Sequence, residues 1–154
     1  MKLYQLHREQ FAAAPLSEVF AFFAQPENLA KITPDSLGFI IRTPTPIVMK
    51  PGAEIQYTIR VNGIPLCWTT IISEYEPETR FVDEQRRGPY AFWKHTHSFV
   101  ATEGGTLIID DVSYALPFGW IGQLAHSLFV KKKLSTIFDF RAKVIERHFN
   151  SPRA

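Results

Sequence analysis

Two histidines lie at a two-residue interval in a stretch that is typical of a β-strand. Side chains alternate between the two faces of a strand, so one face of residues 91–101 carries Trp93, His95, His97 and Phe99. The large apolar residues at both ends of this set predict that the face points into the interior. Imidazoles inside a protein can orient a ligand, exchange protons near neutral pH or bind a metal ion.

The preceding strand supplies an acidic partner for these histidines. Residues 80–87 place Asp83 and Gln85 on the same face as Phe81. If the phenylalanine points inward, both polar side chains do so as well. Consecutive strands joined by a hairpin are neighbours in a sheet, so we expect Asp83 and Gln85 to reach the histidines.

The following strand, residues 106–115, offers a second set of polar groups. Asp110 and Tyr114 share one of its faces with Ile108 and Val112, whereas Asp111 lies on the other. Neither face is purely apolar, so alternation alone does not decide which of them points inward.

We expect these side chains to form a polar belt inside an otherwise apolar cup. A buried polar group without a partner costs about 1–3 kcal/mol, so the belt is either paired internally or completed by a ligand. Three interpretations stay open: a network that only braces the sheet, a set of groups that orients a ligand, and an acid–base site. The belt consists of Asp83, Gln85, His95, His97, Asp110 and Tyr114.

A metal site is a weaker interpretation of the same residues. Histidines at positions i and i+2 of a strand, here His95 and His97, can both bind zinc, and Asp110 could be a third ligand. The spacing is not specific, and the single cysteine, Cys67, provides no further ligand set. Cys67 lies in the middle of a predicted strand, next to Trp68, and we expect it to be a small buried residue. We therefore predict no metal and no cofactor.

The elements that must position the belt form one antiparallel sheet. Period-two patterns and turn residues predict strands over residues 3–11, 37–42, 54–61, 65–75, 80–87, 91–101 and 106–115. Asn62-Gly63 is a strong hairpin signal among the turns between them. Strands at such regular spacing indicate an antiparallel arrangement.

Helices flank this sheet in sequence. A short apolar helix with Ser17 as its N-cap and a second one opened by Pro26 follow the first strand. A long helix is predicted from the Pro117-Phe118-Gly119 turn to residue 149. We expect this helix to contact the sheet through Leu124, Leu128, Phe138 and Ile145. Its apolar stripe consists of Ile121, Leu124, Leu128, Leu134, Phe138, Ile145 and Phe149. A sheet that curls around one helix leaves a cavity between them.

The chain of 154 residues is predicted to be a single domain, residues 1–154.

Its net charge of +2 is too small to indicate a nucleic-acid partner, but residues 119–154 carry a local excess of basic residues around Lys131–Lys133. This excess is typical of a solvated helix face, and contact with an anionic membrane surface is the alternative interpretation. The sequence shows neither a secretory signal nor a stretch that spans a membrane. A single cysteine fits a reducing compartment, so we expect a cytoplasmic protein. Its oligomeric state is left open between a monomer and a homodimer.

This order of elements resembles the helix-grip fold of the START/Bet v 1-like (SRPBCC) superfamily. The resemblance covers nearly the whole chain, and it is to the bacterial ligand-binding and polyketide cyclase/dehydrase-like branch. It rests on Val19-Phe20-Ala21-Phe22-Phe23, Pro26-Glu27-Asn28-Leu29, Ile32-Thr33-Pro34, Gly88-Pro89-Tyr90, the run from Trp93 to Phe99 and the run from Asp110 to Gly119. It implies an α+β fold in which a curved antiparallel sheet of six to seven strands wraps around a long C-terminal helix, with two short helices after the first strand.

The resemblance also implies a large cavity for a hydrophobic small molecule that is lipid-like, polyketide-like or aromatic. It favours an inward direction for Asp110 and Tyr114, because their face carries the family-like pattern. The long helix adds Phe138, and also Arg141, which either meets a carboxylate in the cavity or extends to water. The leading hypothesis is a binding protein, and the alternative is an enzyme of the aromatase/cyclase type that uses the same cavity. The predicted ligand-binding residues are Asp83, Gln85, Trp93, His95, His97, Phe99, Asp110, Tyr114, Phe138 and Arg141.

Overall fold

A single curved antiparallel sheet dominates the computed structural model, which describes residues 1–151. Its strands lie side by side in the order β1-β7-β6-β5-β4-β3-β2. Shifts of register in β4 near Thr70 and Ile72 mark β-bulges, which bend and twist a sheet. The strands are β1 (Tyr4–Ala12), β2 (Ile40–Ile41), β3 (Glu54–Val61), β4 (Ile64–Glu76), β5 (Arg80–Arg87), β6 (Phe92–Thr102) and β7 (Gly105–Ala115).

Short helical segments connect β1 to the rest of the sheet. Helix α1 spans Leu16–Phe23, and 3₁₀ turns span Pro26–Ile32 and Asp35–Leu37. The predicted N-cap role of Ser17 is wrong, because α1 already begins at Leu16 after Pro15, and within residues 1–151 no side chain caps it. The 3₁₀ turn at Asp35–Leu37 also shortens the strand predicted over residues 37–42 to Ile40–Ile41.

The C-terminal helix runs from residue 119 to residue 150 and contains two π turns. It consists of α2 (Gly119–Ala125), a π turn (His126–Val130), α3 (Lys131–Ile145) and a second π turn (Glu146–Asn150). The predicted helix-grip arrangement of a curved sheet and a long C-terminal helix is therefore confirmed. No helix within residues 1–151 is long and apolar enough to cross a lipid bilayer.

Only part of the predicted apolar stripe of this helix faces the sheet. Leu134, Phe138 and Ile145 are buried, but Leu124 and Leu128 are 52% and 59% exposed, so their predicted sheet contact is wrong. A π turn closes its hydrogen bond one residue later than an α turn, which rotates the following helix by about 100° against a constant 3.6-residue period. The first π turn thus turns Leu124 and Leu128 outward.

The helix and the sheet enclose two apolar clusters. The first joins Phe20, Phe23 and Phe99 with Ile145 and Phe149, and the second joins Trp68, Trp93 and Tyr114 with Leu134 and Phe138. The strand face that carries Trp93 therefore points inward, as alternation predicts. Cys67, on the opposite face of β4 from Trp68, is exposed, so the prediction that it is buried is wrong.

Candidate functional site

A cavity of about 140 Å³ lies between the sheet, the short helical segments and α3. Its walls are mostly aromatic and aliphatic, with Phe22 and Phe23 from α1 and Leu29 from the following 3₁₀ turn on one side. Strands β3 and β4 contribute Tyr57 and Trp68 on the other side. The alternation of each strand turns these side chains inward, so the cavity is a gap in the core between helix and sheet.

Asp110 anchors a buried polar cluster beside this cavity. One of its carboxylate oxygens, Oδ1, accepts a hydrogen bond from His95 Nε2 at 2.8 Å and another from Arg141 Nη2 at 3.0 Å. The side chains of all three residues are 9% exposed or less. The Arg141 guanidinium also lies over the rings of Phe23 and Phe138, at 5.2 and 5.6 Å from their centroids. The helix is thus tied to β7 by a buried charge pair between aromatic rings.

Asp83 and His97 form the second half of the cluster. His97 Nε2 lies 2.5 Å from Asp83 Oδ2, and its ring stacks between those of Phe81, at 4.2 Å, and His95, at 3.6 Å. Because an ionised carboxylate only accepts hydrogen bonds, Nε2 carries the proton in this pair. Nδ1 of the neutral ring then carries a lone pair that can accept a hydrogen bond.

The hydrogen bonds of the cluster run diagonally across the strands. In the strand register, Asp83 lies opposite His95 and Asp110 lies opposite His97. The shorter contacts join the diagonal pairs instead, while the directly opposite pairs are 3.8 and 3.6 Å apart. Diagonal neighbours on one face of a sheet are within reach of long side chains. Each carboxylate therefore lies close to both imidazoles.

The surroundings hold both carboxylates in the ionised form. Burial acts to raise the pKa of Asp110, but the Arg141 charge and the hydrogen bond from His95 outweigh it and keep this pKa well below its usual range. Burial likewise opposes ionisation of Asp83, and the hydrogen bond from His97 lowers its pKa in spite of this. Burial, helped by the neighbouring His95, lowers the pKa of His97 to about 4. His97 is therefore a neutral imidazole at physiological pH.

Three residues of the cavity wall have buried polar atoms that are not hydrogen-bonded within the described chain. These atoms are His97 Nδ1, Arg141 Nε and Trp68 Nε1. A buried polar group without a partner is costly and calls for an explanation, such as a ligand or a water molecule that completes it. The residues that line the apolar cavity thus include one with an unpaired acceptor and two with unpaired donors, and His97 Nδ1 lies 3.6 Å from Asp110 Oδ1.

Comparisons with known proteins place the chain in a family. Residues 12–138 match the family model described as polyketide cyclase / dehydrase and lipid transport. The chain belongs to this family. Its fold is that of the START/Bet v 1-like superfamily, as the sequence predicted. No curated protein sequence matches the chain.

Solved structures with low sequence identity share the fold of this family member. TTHA0849 from Thermus thermophilus has a TM-score of 0.73 at 17% identity, covering 94% of this chain and 95% of that one. CV1439 from Chromobacterium violaceum has a TM-score of 0.72 at 13% identity, covering 97% and 98%. The ginseng major latex-like protein 151 from Panax ginseng has a TM-score of 0.69 at 13% identity, covering 97% and 99%. At these identities the likeness shows the fold alone.

The structure brings five of the predicted site residues to the cavity of this family fold. These are Asp83, Trp93, His95, His97 and Arg141. For Arg141, the sequence left open a carboxylate partner or solvent, and the structure shows the carboxylate of Asp110. Asp110 itself lies behind these cavity-lining residues. Together with Phe138, it lines a smaller cleft between β1 and the C-terminal helix.

Three further predicted residues lie away from the cavity and have other partners. Gln85 exchanges hydrogen bonds with the backbone of Tyr90 at 2.8 and 3.0 Å, which fixes the turn between β5 and β6. The Tyr114 hydroxyl pairs with His126 Nε2 at 2.7 Å. Phe99 packs in the aromatic cluster around Phe20. The polar belt predicted from alternation thus contains a core of four members, with Gln85 and Tyr114 in separate contacts.

Sequence reasoning did not identify several cavity residues, because it started from titratable side chains on other strands and on the C-terminal helix. Tyr57, Trp68 and Thr70 line the cavity from β3 and β4, and Leu29 and Met49 line it from the connecting segments. Alternation could have identified the strand residues, since Trp68 and Thr70 share one face with Ile72. The connecting segments give no such signal.

The cluster also contains a set of ligands that a metal ion could use. Ligand atoms of Asp83, His95 and His97 lie within 4.8 Å of one another, so Asp83 rather than Asp110 would be the third ligand. The imidazole rings stack at an interplanar angle of 25°, and each Nε2 already bonds a carboxylate. Lone pairs of stacked rings run side by side instead of converging on a tetrahedral centre. The geometry suits a hydrogen-bonded network better than a zinc site.

Proposed function

We propose that this protein binds a hydrophobic small molecule in the cavity, with the polar cluster holding one end of it. The observation that carries the proposal is an apolar cavity whose wall bears buried polar atoms without partners. Apolar pockets with a few convergent polar groups are the usual form of small-molecule sites. The family description, with its polyketide cyclases and lipid transport, supports the same class of ligand.

The size of the cavity favours a compact ligand group. Its volume of about 140 Å³ is close to that of an engineered cavity of about 150 Å³ that holds benzene in another protein. It is below the roughly 300–1,000 Å³ of typical ligand pockets. Among lipid-like, polyketide-like and aromatic ligands, an aromatic or ring-sized group fits without rearrangement, whereas a longer chain requires the wall formed by Leu29 and Phe22 to move.

The polar atoms define what the bound end of the ligand must carry. His97 Nδ1 is an unpaired acceptor, while Arg141 Nε and Trp68 Nε1 are unpaired donors. A hydroxyl group beside a carbonyl or carboxylate oxygen satisfies this combination. We therefore propose direct ligand contacts for Trp68 and for five of the predicted residues: Asp83, Trp93, His95, His97 and Arg141. Five residues support them from behind or from the side: Gln85, Phe99, Asp110, Tyr114 and Phe138.

A matched pair of histidine variants tests the polar end of the site. Glutamine at position 97 can still donate to Asp83 but lacks the Nδ1 acceptor, whereas His7→Gln alters an exposed histidine on the outer face of the sheet. We expect His97→Gln to weaken binding of the probe salicylate, a fluorescent aromatic ring with a hydroxyl beside a carboxylate, by about 5- to 150-fold, the equivalent of an unpaired buried group. His7→Gln should bind like the wild type.

A second matched pair tests the cavity itself. Leu29→Trp fills the cavity wall, and Leu3→Trp makes the same change at a site that is 51% exposed. Only Leu29→Trp should abolish probe binding, with thermal melts showing that both variants fold. Equal affinity in all four folded variants would mean that the probe binds elsewhere and would refute the proposal.

A second candidate function is acid–base catalysis by the same cluster. It is favoured by the Asp83–His97 pair, in which a carboxylate fixes the tautomer of an imidazole whose other nitrogen is free. Such a base should accelerate the exchange of deuterium into the acidic carbon of a β-diketone, measured by mass spectrometry. Loss of this exchange in His97→Gln but not in His7→Gln would support an enzyme of the cyclase type. Exchange at the uncatalysed rate in the wild-type protein would exclude this reaction.

Two further expectations accompany the proposal. With Cys67 as the only cysteine, no internal disulfide is possible, and we propose the reducing cytoplasm as the place where binding occurs. We also propose that the protein is a monomer or a homodimer.

A further inference from the structure

An unusual amount of apolar surface is exposed where the C-terminal helix begins. Six large apolar residues there are between 52% and 80% exposed, and we call them the outer apolar face: Phe118, Trp120, Ile121, Leu124, Leu128 and Phe129. Single exposed apolar residues are ordinary, but a contiguous set marks an interaction surface. Nothing in residues 1–151 covers these side chains.

The opposite side of the same helical segment is firmly held. Gly122 and His126 are buried, and His126 Nε2 pairs with the Tyr114 hydroxyl at 2.7 Å. The His126 ring also stacks on Tyr4 with its centroid at 3.5 Å. These contacts fix the orientation of the segment. Its apolar side chains therefore point outward because the opposite side of the helix is bound to the sheet.

The outer apolar face continues into a basic cluster along the helix. Trp120, Leu124, Leu128 and Lys132 follow one another at four-residue intervals, which places them along one side of the helix. Lys131, Lys132 and Lys133 are all exposed. Apolar and positively charged groups thus share one surface.

Positive charge near this surface has no acidic partner in the local sequence. Between Asp111 and Asp139 the sequence contains no acidic residue. Two lysines, Lys131 and Lys2, act electrostatically to lower the pKa of His126, behind the outer apolar face, in addition to the effect of its burial. The strand that starts near Lys2 therefore adds to the basic rim.

We propose that the outer apolar face and Lys131–Lys133 dock the protein onto the surface of an anionic lipid bilayer. Helices with Trp, Phe and Leu on one side and lysines beside them bind in the interfacial region of a membrane, where tryptophan is especially favourable. Anionic headgroups supply the negative charge that the segment lacks. A second copy of this chain would bring no acidic residue in this segment, so pairing through the same surface would bury lysines without counter-charges. This docking surface does not depend on the proposed ligand.

Vesicle binding by the full chain tests the proposal. We expect the protein to sediment with vesicles of phosphatidylcholine and phosphatidylserine, and to do so less as salt is added. Binding to phosphatidylcholine alone should be weaker. Trp120 is exposed, whereas Trp68 and Trp93 are buried, so the emission of Trp120 should shift to the blue on binding. The Trp120→Phe variant should lose most of this spectral shift.

Matched variants separate the two components of the surface. The triple variant Lys131→Gln with Lys132→Gln and Lys133→Gln should bind anionic vesicles about a hundredfold more weakly. This factor follows because each lysine near an anionic membrane contributes about 1 kcal/mol. Leu124→Ser with Leu128→Ser should weaken binding by at least about tenfold. Val48→Ser with Ile64→Ser removes similar exposed apolar groups at 70% and 63% exposure elsewhere and should change nothing.

Three outcomes would overturn the proposal. One is absence of vesicle binding by the wild-type chain. Another is equal binding by the helix variants and the Val48/Ile64 control. The third is a dimer in light scattering that Leu124→Ser with Leu128→Ser dissociates, without any vesicle binding, which would make the outer apolar face an interface between copies of this chain.

Discussion

Replacing Asp110 by Asn tests whether the buried cluster depends on its charge. Asparagine keeps the shape of the side chain but removes the negative charge that faces His95 and Arg141. The Arg141 side chain, 9% exposed, would then be a buried cation without its hydrogen-bonded counter-charge. Breaking one partner of a buried ion pair costs about 3–5 kcal/mol. This is a large share of the roughly 5–15 kcal/mol that stabilises a typical domain.

Urea unfolding measures this loss directly. With a denaturant slope of about 2 kcal/mol per molar urea, a loss of 3–5 kcal/mol lowers the midpoint by about 1.5–2.5 M. Asp111→Asn is the matched control, because Asp111 is the next residue in β7 but is 53% exposed and pairs with the exposed His7. Its midpoint should change little, since water screens such surface pairs.

The double variant and the pH dependence complete the test. Arg141→Met combined with Asp110→Asn should cost less than the sum of the two single changes, because neither charge is left alone. The folded-state pKa of Asp110 is lowered, so its contribution to stability is present above the unfolded pKa near 3.8 and is lost as the pH falls below it. A midpoint drop in Asp110→Asn no larger than that in Asp111→Asn would refute the reasoning about the charge.

The remaining predictions concern one titration and two packing contacts. His97 should titrate near pH 4 in NMR spectra, and because the unfolded chain binds this proton near pH 6.5, stability should fall by about 3 kcal/mol between pH 6.5 and 4. A titration near pH 6.5 in the folded protein would contradict the burial of this imidazole. Phe138→Ala should cost about 3–5 kcal/mol in urea melts, because this side chain is 6% exposed between helix and sheet, and a loss below about 1 kcal/mol would show that the helix packs differently. Gly122→Ala should cost about 1–3 kcal/mol, since a Cβ there would lie 2.0 Å from the Pro117 carbonyl oxygen, whereas Ser127→Ala on the exposed side should be neutral. Equal melting temperatures for these two helix variants would contradict the close approach of the helix to the Pro117 turn.

The sequence by itself determined the order of the elements and the inward face of the central strands. Alternation placed Trp93, His95 and His97 together on the buried face of β6, and the structure agrees. This worked because the side-chain period of a strand is fixed at two and a large apolar residue marks the buried face. The family pattern added the inward direction of Asp110, which is 6% exposed.

Only the tertiary structure decided how the polar groups pair. The strand register sets Asp83 opposite His95 and Asp110 opposite His97, but the hydrogen bonds cross to the diagonal neighbours. Side-chain rotamers and the approach of Arg141 from the helix select these partners, and neither is encoded in the spacing of residues along one strand. The same applies to Gln85, which the turn at Tyr90 draws away from the cluster.

The C-terminal helix shows the same division between local pattern and tertiary packing. Its length and its buried residues Leu134, Phe138 and Ile145 follow from helical periodicity. The π turn at His126–Val130 is not visible in that periodicity, and it begins at the residue that pairs with the Tyr114 hydroxyl. That local rotation exposes Leu124 and Leu128 to solvent. A constant helical period would place both residues in the core, whereas in the structure they belong to the outer apolar face.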